Sequence, residues 1–346
     1  MVSAGDRHTV LLRSDGRAIA CGRNDEGQCD IPPLDEGVTY TQVSAGSSHT
    51  VLLRSDGRAV ACGHTGSGEC DIPPLDEGVT YTQVSAGGAG HTALLRSDGR
   101  VVLTGKPSAA LDEGRTYTQI SAAGGHVVLL RSDGRAVDCL PNGSRPCVPL
   151  CQIPPLEEGV TYTQVSTGGR HLVVLLRSDG RAVACGHDAT GQLHIPPLDE
   201  GLMYTEVSTG AGHKVLLRSD GRAVACGRNS WGQCNIPPLE AGVTYTQVSA
   251  GGDHTVLLRS DGRVVACGSN RSGQLNIPSL ASWRDWLWFP SLRYISDSKA
   301  SGTKQDRILQ VSFLQEGDAI ILICFGLDGL EALRLRTAGS DRAMET

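Results

Sequence analysis

Pairs of short apolar segments separated by a polar turn recur along most of the chain. In one copy, residues 50–54 read Thr-Val-Leu-Leu-Arg and residues 58–62 read Arg-Ala-Val-Ala-Cys, with Asp56-Gly57 between them. An Asp-Gly turn between β-prone segments is a strong hairpin signal, so each copy predicts two antiparallel strands. The Val-Leu-Leu centre of the first strand is apolar on both faces, which is typical of a strand covered on both sides.

The turn belongs to a tetrapeptide, Ser-Asp-Gly-Arg, that occurs seven times at successive spacings of 41, 42, 35, 46, 41 and 41 residues. Its aspartates are Asp15, Asp56, Asp98, Asp133, Asp179, Asp220 and Asp261. A period in this range marks a solenoid or a propeller, and no unit has a helical period. We therefore predict an all-β fold, a seven-bladed β-propeller over residues 1–280. The strand Thr-Gln-Val-Ser-Ala-Gly before each hairpin has the smallest side chains, and we place it innermost, where blades crowd together.

Several units depart from this pattern. Unit three lacks the segment G-x-N-x-x-G-Q-x-x-I-P-P, so its blade should lack an outer loop and strand, and unit four has a Pro-rich insertion there. His171 lies eight residues before its aspartate where other units have seven, which predicts a β-bulge. Unit one begins too late for a complete innermost strand. We expect the residues around 293–296, Arg-Tyr-Ile-Ser, to pair near the first and seventh blades.

The repeated motifs, G-x-N-x-x-G-Q-x-x-I-P followed by V-S-A-G-x-x-H-T-V-L-L-R-S-D-G-R-A-V-A-C-G, resemble the regulator of chromosome condensation repeat family. That family forms seven-bladed propellers and includes the exchange factor for the GTPase Ran. β-Lactamase inhibitor protein II and the repeat domains of HECT-type (HERC-like) ubiquitin ligases are similar. The resemblance covers about four fifths of the chain and supports the blade count. It implies little about activity, because relatives use the propeller for exchange, inhibition and scaffolding.

The charge and composition narrow the class of partner. A formal net charge of -6 lacks the basic face that nucleic-acid binding needs, so the expected partner is a protein. No apolar run approaches a membrane span and the start has no secretory signal, which favours a cytoplasmic or nuclear protein without membrane contact. We expect a monomer with no cofactor. No catalytic motif is present, so the chain is not expected to be an enzyme.

The repeated cysteines, histidines and acidic pairs are interpreted as structural. Six cysteines recur in the apolar strand and read as small buried hydrophobic residues. Cys21/Cys29, Cys62/Cys70 and Cys226/Cys234 are the disulfide candidates under oxidising conditions. One histidine per unit, such as His8 and His49, reads as hydrogen-bonded at the head of the second strand and not as a metal ligand. The acidic pairs lack the spacing of a calcium loop.

Two rims are expected, because the chain reverses direction within each blade. The Ser-Asp-Gly-Arg rim is nearly identical in all units, whereas the loops A-G-x-x-H and G-x-N-x-x-G-Q on the other rim vary. Variable polar loops on a rigid scaffold are typical of a recognition surface, so the variable rim is the predicted binding face. Trp231 is the expected anchor. The candidate contact residues are Trp231, Arg228, Asn229, Arg170, His187, Asp188, Asp253, Arg271, Arg23, Asp25 and Arg7.

Residues 281–346 are predicted to form a short C-terminal α/β extension. It should comprise a Trp-rich helix near residues 282–289 and a β-hairpin, with a last stretch that resembles a truncated ubiquitin-like start. The whole chain reads as a protein–protein interaction scaffold. The alternatives are a guanine-nucleotide exchange factor for a small GTPase, or the substrate-recruiting part of a HERC-like ubiquitin ligase without its catalytic domain.

Overall fold

The fold was examined in a computed structural model. It describes residues 1–88, 90–105, 114–139, 152–169, 172–188 and 191–278, together with strands at 310–316, 319–326 and 329–336. The chain divides into two compact units, Met1–Ile277 and Pro278–Thr346. The described residues contain no helix with the length and apolarity that crossing a bilayer requires.

The first unit is a seven-bladed β-propeller in which each blade is an antiparallel sheet of three consecutive strands. The innermost strands are β1 (Val2–Ala4), β4 (Tyr40–Ala45), β7 (Tyr81–Ala86), β10 (Tyr117–Ala123), β13 (Tyr162–Thr167), β16 (Tyr204–Thr209) and β19 (Tyr245–Ala250). The middle strands are β2 (His8–Leu12), β5 (His49–Arg54), β8 (His91–Arg96), β11 (His126–Arg131), β14 (Val173–Arg177), β17 (His213–Arg218) and β20 (His254–Arg259). The outer strands are β3 (Ala18–Gly22), β6 (Ala59–Gly63), β9 (Val101–Gly105), β12 (Ala136–Cys139), β15 (Ala182–Cys185), β18 (Ala223–Gly227) and β21 (Val264–Gly268).

The core lies between neighbouring blades. Val51 and Leu53 of the middle strand of blade two are buried against Tyr81, Val84 and Leu94 of blade three. Equivalent clusters form between blades one and two and between each consecutive pair from blade three to blade seven. The middle strand is covered on both faces by adjacent blades, which explains why Val-Leu-Leu does not alternate with polar residues.

Side chains join the innermost strands into a closed ring. In every blade, a serine Oγ accepts a hydrogen bond of 2.9 to 3.0 Å from a backbone N–H of the next blade. The serine and N–H pairs are Ser3–Ala45, Ser44–Ala86, Ser85–Ala122, Ser121–Thr167, Ser166–Thr209, Ser208–Ala250 and Ser249–Ala4. The last pair links blade seven to blade one, so β1 closes the propeller although it has only three residues. The predicted closing segment at 293–296 lies outside the described residues.

A glycine after each of several innermost strands permits the close approach of the blades. A Cβ atom added to Gly46 would lie 2.6 Å from the carbonyl oxygen of Gly87 in the next blade. The N–H of Ser47 donates to that oxygen at 3.4 Å, and blade one repeats the arrangement with Asp6 N–H donating to Gly46 at 3.1 Å. Any larger residue would push two blades apart.

Two expectations about the strands are wrong. The segment G-x-N-x-x-G-Q-x-x-I-P-P forms a turn and an extended loop and no fourth strand in the described blades, so three strands are the rule. The pairing of β14 with β15 shows no register shift. The additional residue of unit five lies before the strand, where Leu172 accepts the hydrogen bond from Gly168 that a histidine accepts elsewhere. Register irregularities instead occur at the start of the innermost strands, as between Tyr40 and Gln42.

The repeated cysteines that the structure describes are free thiols. All of them except Cys185 are half-buried, whereas full burial was expected. Cys62 Sγ donates to the carbonyl oxygen of Gln28 in the preceding blade at 3.8 Å, and Cys185 is the buried member among the described cysteines. Burial raises the pKa of the Cys62 thiol to about 12, which keeps it protonated and unreactive near neutrality.

The second unit contains a three-stranded antiparallel sheet with strands β22 (Gln310–Glu316), β23 (Ala319–Gly326) and β24 (Gly329–Arg336). The predicted Trp-rich helix lies outside the described residues. The same holds for most of the loop region of unit three and for the insertion of unit four.

Candidate functional site

The loops of the propeller form two rims of different character. We call the Ser-Asp-Gly-Arg turns and the P-P-L-D-E-G loops the constant rim. The A-G-x-x-H and G-x-N-x-x-G-Q loops are the variable rim. Backbone hydrogen bonds tie the two variable loops of a blade together, as from Arg228 N–H to the oxygen of Gly212 at 2.8 Å and from Ser269 N–H to the oxygen of Asp253 at 2.8 Å. Blades one, two, six and seven each present their two variable loops as one connected surface.

The constant rim is a structural network. Asp56 Oδ1 accepts from the N–H of Arg58 at 3.1 Å, and Arg54 bridges Asp56 at 2.9 Å to Asp35 of the preceding loop at 2.6 Å. Gly57 has φ +77°, which the turn requires and which a larger residue rarely adopts. These contacts give the tetrapeptide a structural role, in which it supports the turn and forms surface ion pairs.

An asparagine and a glutamine that recur in the loops of blades one, six and seven hold the loop backbone. Asn229 Oδ1 accepts from the N–H of Cys234 at 2.8 Å, and its Nδ2 donates to Asn235 at 2.9 Å. The buried Gln233 accepts from the N–H of Trp231 at 2.9 Å. Asn229, expected as a contact residue, thus has both ends of its amide engaged within its own loop. The positions between these anchors are the ones that vary.

Four of the expected contact residues meet between blades six and seven, and we call them the six–seven cluster. The guanidinium carbon of Arg271 lies 3.9 Å from the centroid of the Trp231 ring. Arg228 Nη1 lies 3.4 Å from Asp253 Oδ1, and both of these side chains are more than a third exposed. Trp231 itself is half-buried, so Arg271 covers part of the anchor. A cation over an indole face is attracted to its electrons.

A second group lies on blade one. Arg23 and Asp25 form a bidentate ion pair, with Nη2 to Oδ2 at 2.7 Å, and the positive charge of Arg7 also acts on Asp25. The neighbouring Asp6 lines the mouth of the central cavity. Desolvation there raises the pKa of Asp6, and the charge of Asp253 in blade seven raises it further against the opposing charge of Arg7. The charge of Asp253 in blade seven therefore affects the ionisation of Asp6 in blade one.

The remaining expected residues are less closely associated with the cluster. His187 and Asp188 are exposed on the loop of blade five, where Asp188 Oδ1 accepts from the N–H of Leu193 at 3.3 Å. Arg170 lies outside the described residues. Among the described residues of blade five, neither His187 nor Asp188 forms an ion pair with the six–seven cluster.

Three side chains that depart from the repeat were not singled out from the sequence. Glu206 replaces the glutamine of the other innermost strands and Lys214 replaces a threonine, while Glu69 of blade two replaces a loop glutamine and pairs with His64. Burial raises the pKa of Glu206 to about 7 and lowers the pKa of the Lys214 amine. The sequence contained the signal, because Glu206 and Glu69 depart from a glutamine that recurs in the other units with that segment, and Lys214 is the charged residue at a position that is otherwise threonine or valine.

Four of the recurring histidines are buried and hydrogen-bonded across blades, as expected. His8, His49, His213 and His254 each place Nε2 2.9 to 3.0 Å from a threonine Oγ1 of the next blade. Each threonine hydroxyl donates to a loop carbonyl, as Thr50 does to Gln28 at 2.7 Å. The hydroxyl must therefore accept from the histidine, which fixes an Nε2–H tautomer. Among the described residues, no group of three or more potential ligands is placed to hold a metal ion.

The central cavity offers little chemistry. It has a volume of about 360 Å³ and is lined by glycine, alanine, serine and threonine at the ends of the innermost strands, with Asp6 as the charged member of the lining. This lining confirms that the small-residue strand is innermost.

Comparison with known proteins agrees with this architecture. The family model for the regulator of chromosome condensation (RCC1) repeat matches residues 2–28, 40–69 and 245–274, which lie in blades one, two and seven. Blades one, two and seven therefore match the RCC1 repeat in sequence. No curated protein matches it at a significant level.

Several solved structures resemble this propeller in fold. Human WBSCR16 is 18% identical with a TM-score of 0.62, covering 74% of this chain and 86% of its own. The CRINKLY WD40 ectodomain of the Arabidopsis thaliana receptor kinase ACR4 is 18% identical with a TM-score of 0.61, covering 79% and 96%. Saccharomyces cerevisiae Prp20p is 15% identical with a TM-score of 0.62, covering 80% and 84%. At these sequence identities the similarity shows a shared fold and nothing further.

Proposed function

We propose that this RCC1-repeat propeller is a protein-binding platform whose recognition surface is the variable rim, centred on blades six, seven and one. The observation that carries the proposal is where the repeats differ. Equivalent loops read Arg-Asn-Asp-Glu, His-Thr-Gly-Ser, Arg-Asn-Ser-Trp and Ser-Asn-Arg-Ser in blades one, two, six and seven, within an otherwise nearly uniform repeat.

Tolerance of substitutions at exposed positions does not explain why the loops differ between units. The last arginine of Ser-Asp-Gly-Arg is 71 to 76% exposed at Arg100, Arg222 and Arg263, and its ion pairs to aspartate are as long as 3.9 to 4.0 Å. This position is nevertheless arginine in all seven units. If exposure alone allowed the repeats to diverge, the constant rim would vary too. The variation on the other rim is better explained by selection for different contacts.

The local structure suits recognition. In blades one, six and seven an asparagine and a glutamine hold the loop backbone, so the residues between them are displayed without reorganising the blade. The six–seven cluster supplies a Trp and two Arg, which are the residue types that dominate interface energies. Prp20p, whose structure was reported with its binding to Gsp1p and histones, supports the view that a propeller of this architecture can serve protein binding.

The test is affinity capture with the full chain from its native cell, followed by mass spectrometry. The double variant Trp231→Ala, Arg228→Ala is expected to lose the captured partner. The matched control is Asp220→Ala, Arg222→Ala on the constant rim of the same blade, which should retain it. A partner that survives the first variant and is lost with the second would place binding on the other rim.

A further inference from the structure

Arg271 differs from the other arginines of the variable rim in its ionic surroundings. Arg23 is paired with Asp25 and Arg228 with Asp253, while Arg7 lies within the influence of both Asp6 and Asp25. Across the residues that the structure describes, Arg271 forms no ion pair, is exposed, and contacts the ring of Trp231. It is an uncompensated positive charge at the proposed recognition surface.

Stacking prepares this guanidinium for a particular ligand. A guanidinium that lies over an indole face keeps its N–H donors in its own plane, where they remain free to bond outward. Its fork geometry matches a carboxylate with two parallel hydrogen bonds, and a charge-assisted pair of this kind is about twice as strong as a neutral one. Contact with the ring also reduces the rotamer freedom that binding would otherwise cost the arginine.

The surroundings add a second requirement. Asp253 is already engaged by Arg228 at 3.4 Å, so it does not compete closely for Arg271. The half-buried Trp231 presents apolar surface beside the guanidinium, and an apolar side chain next to the bound carboxylate would cover it.

We propose that the six–seven cluster binds an acidic protein segment, in which an Asp or Glu carboxylate pairs with Arg271 and an adjacent apolar side chain packs on Trp231. This inference rests on the proposed function and adds the chemistry of the partner. The acidic segment approaches a chain whose net charge is negative, so recognition depends on this local arginine and not on the overall field.

The experiment is selection of a phage-displayed random peptide library on the immobilised full chain. Enriched peptides are then measured against Arg271→Gln and Trp231→Ala, with Arg263→Gln as the matched control, an exposed arginine of the same blade on the constant rim. Peptides that need Trp231 should be enriched in Asp or Glu beside an apolar residue. They should lose about tenfold or more in affinity with Arg271→Gln, the loss expected for a charge-assisted hydrogen bond, and be unchanged by Arg263→Gln.

The outcomes separate this inference from the proposed function. Trp231-dependent peptides without acidic residues, or acidic peptides that are insensitive to Arg271→Gln, overturn the acidic partner and leave the variable rim as the binding face. Peptides that are insensitive to both cluster variants, or no enrichment at all, count against the cluster as a recognition site altogether.

Discussion

His8 Nε2 lies 2.9 Å from Thr50 Oγ1, and this contact between blades one and two recurs at three other blade interfaces. The histidines must be neutral, because burial lowers their pKa values to about 3 for His8 and His254 and to about 4 for His49 and His213. Protonation would place a charge in the core between blades.

The first prediction is acid destabilisation of the propeller. A histidine with a lowered pKa stabilises the fold fully above its unfolded value of about 6.5, and this contribution is lost as pH falls toward 3 to 4. At pH 5, each of the four histidines should lower the free energy of unfolding by about 2 kcal/mol relative to pH 7. Denaturant midpoints measured at pH 7, 6 and 5 should fall steeply. Equal midpoints at pH 7 and 5 would show that the histidines are not neutral and buried.

The second prediction concerns Glu206 and has the opposite sign. Burial raises the pKa of Glu206 to about 7, above the value of 4.5 that applies to the unfolded chain. Below pH 4.5 the carboxyl is protonated in both states and the fold keeps its full stability. The free energy of unfolding then falls as the pH rises through 7, because the buried carboxyl becomes charged. Glu206→Gln restores the residue of the other blades, whose oxygen accepts from the next strand, as Gln164 does from Val207 at 2.9 Å. At pH 8 it should stabilise by about 2 to 3 kcal/mol.

The control for this change is Glu240→Gln, at an exposed carboxylate of the constant rim. It should alter the free energy of unfolding by less than about 1 kcal/mol. The benefit of Glu206→Gln should shrink toward pH 4.5, and a benefit that does not depend on pH would contradict a buried titrating carboxyl.

The third prediction tests the serine ring. Ser44→Ala removes the acceptor of the Ala86 N–H, at 2.9 Å, and leaves that donor partly buried without its partner. The expected loss is about 1 to 3 kcal/mol, with faster hydrogen exchange at Ala86. Ser14→Ala, at an exposed turn position, should change stability by less than about 0.5 kcal/mol.

The fourth prediction compares the two rims once a partner is known. Trp231→Ala should weaken binding by about 2 kcal/mol or more, whereas Asp220→Ala on the constant rim should cost less than about 1 kcal/mol. Titration calorimetry gives both values. A larger effect of the aspartate would mean that the binding face has been assigned to the wrong rim.

The fold followed from local signals in the sequence. Asp56-Gly57 between two β-prone segments determines a hairpin without help from the rest of the chain, and the period then sets the number of blades. The same reasoning overestimated the outer strand, because the prolines of I-P-P lack the N–H donors that a ladder needs, and it placed a bulge where a loop takes up the additional residue.

Contacts between blades could not be predicted from the sequence of single repeats. Arg271 and Trp231 are forty residues apart in sequence, and their stacking depends on how two loops lean toward each other. The residue types of the variable rim could be predicted from the sequence. Which of the described arginines pair with a carboxylate, and that Arg271 does not, could be seen only in the structure. Asn229 illustrates the converse, since its repetition in neighbouring units already pointed to a structural role.

The hydrogen bonds by which each variable loop holds itself have an evolutionary consequence. Because an asparagine and a glutamine within the loop fix its backbone, the residues between them behave as a cassette that can be exchanged without retuning the blade beneath it. The related loops of units one, two, five, six and seven then provide a set of such cassettes within a single molecule. Recombination between units can shuffle a tested loop to a new place on the ring while the framework stays the same.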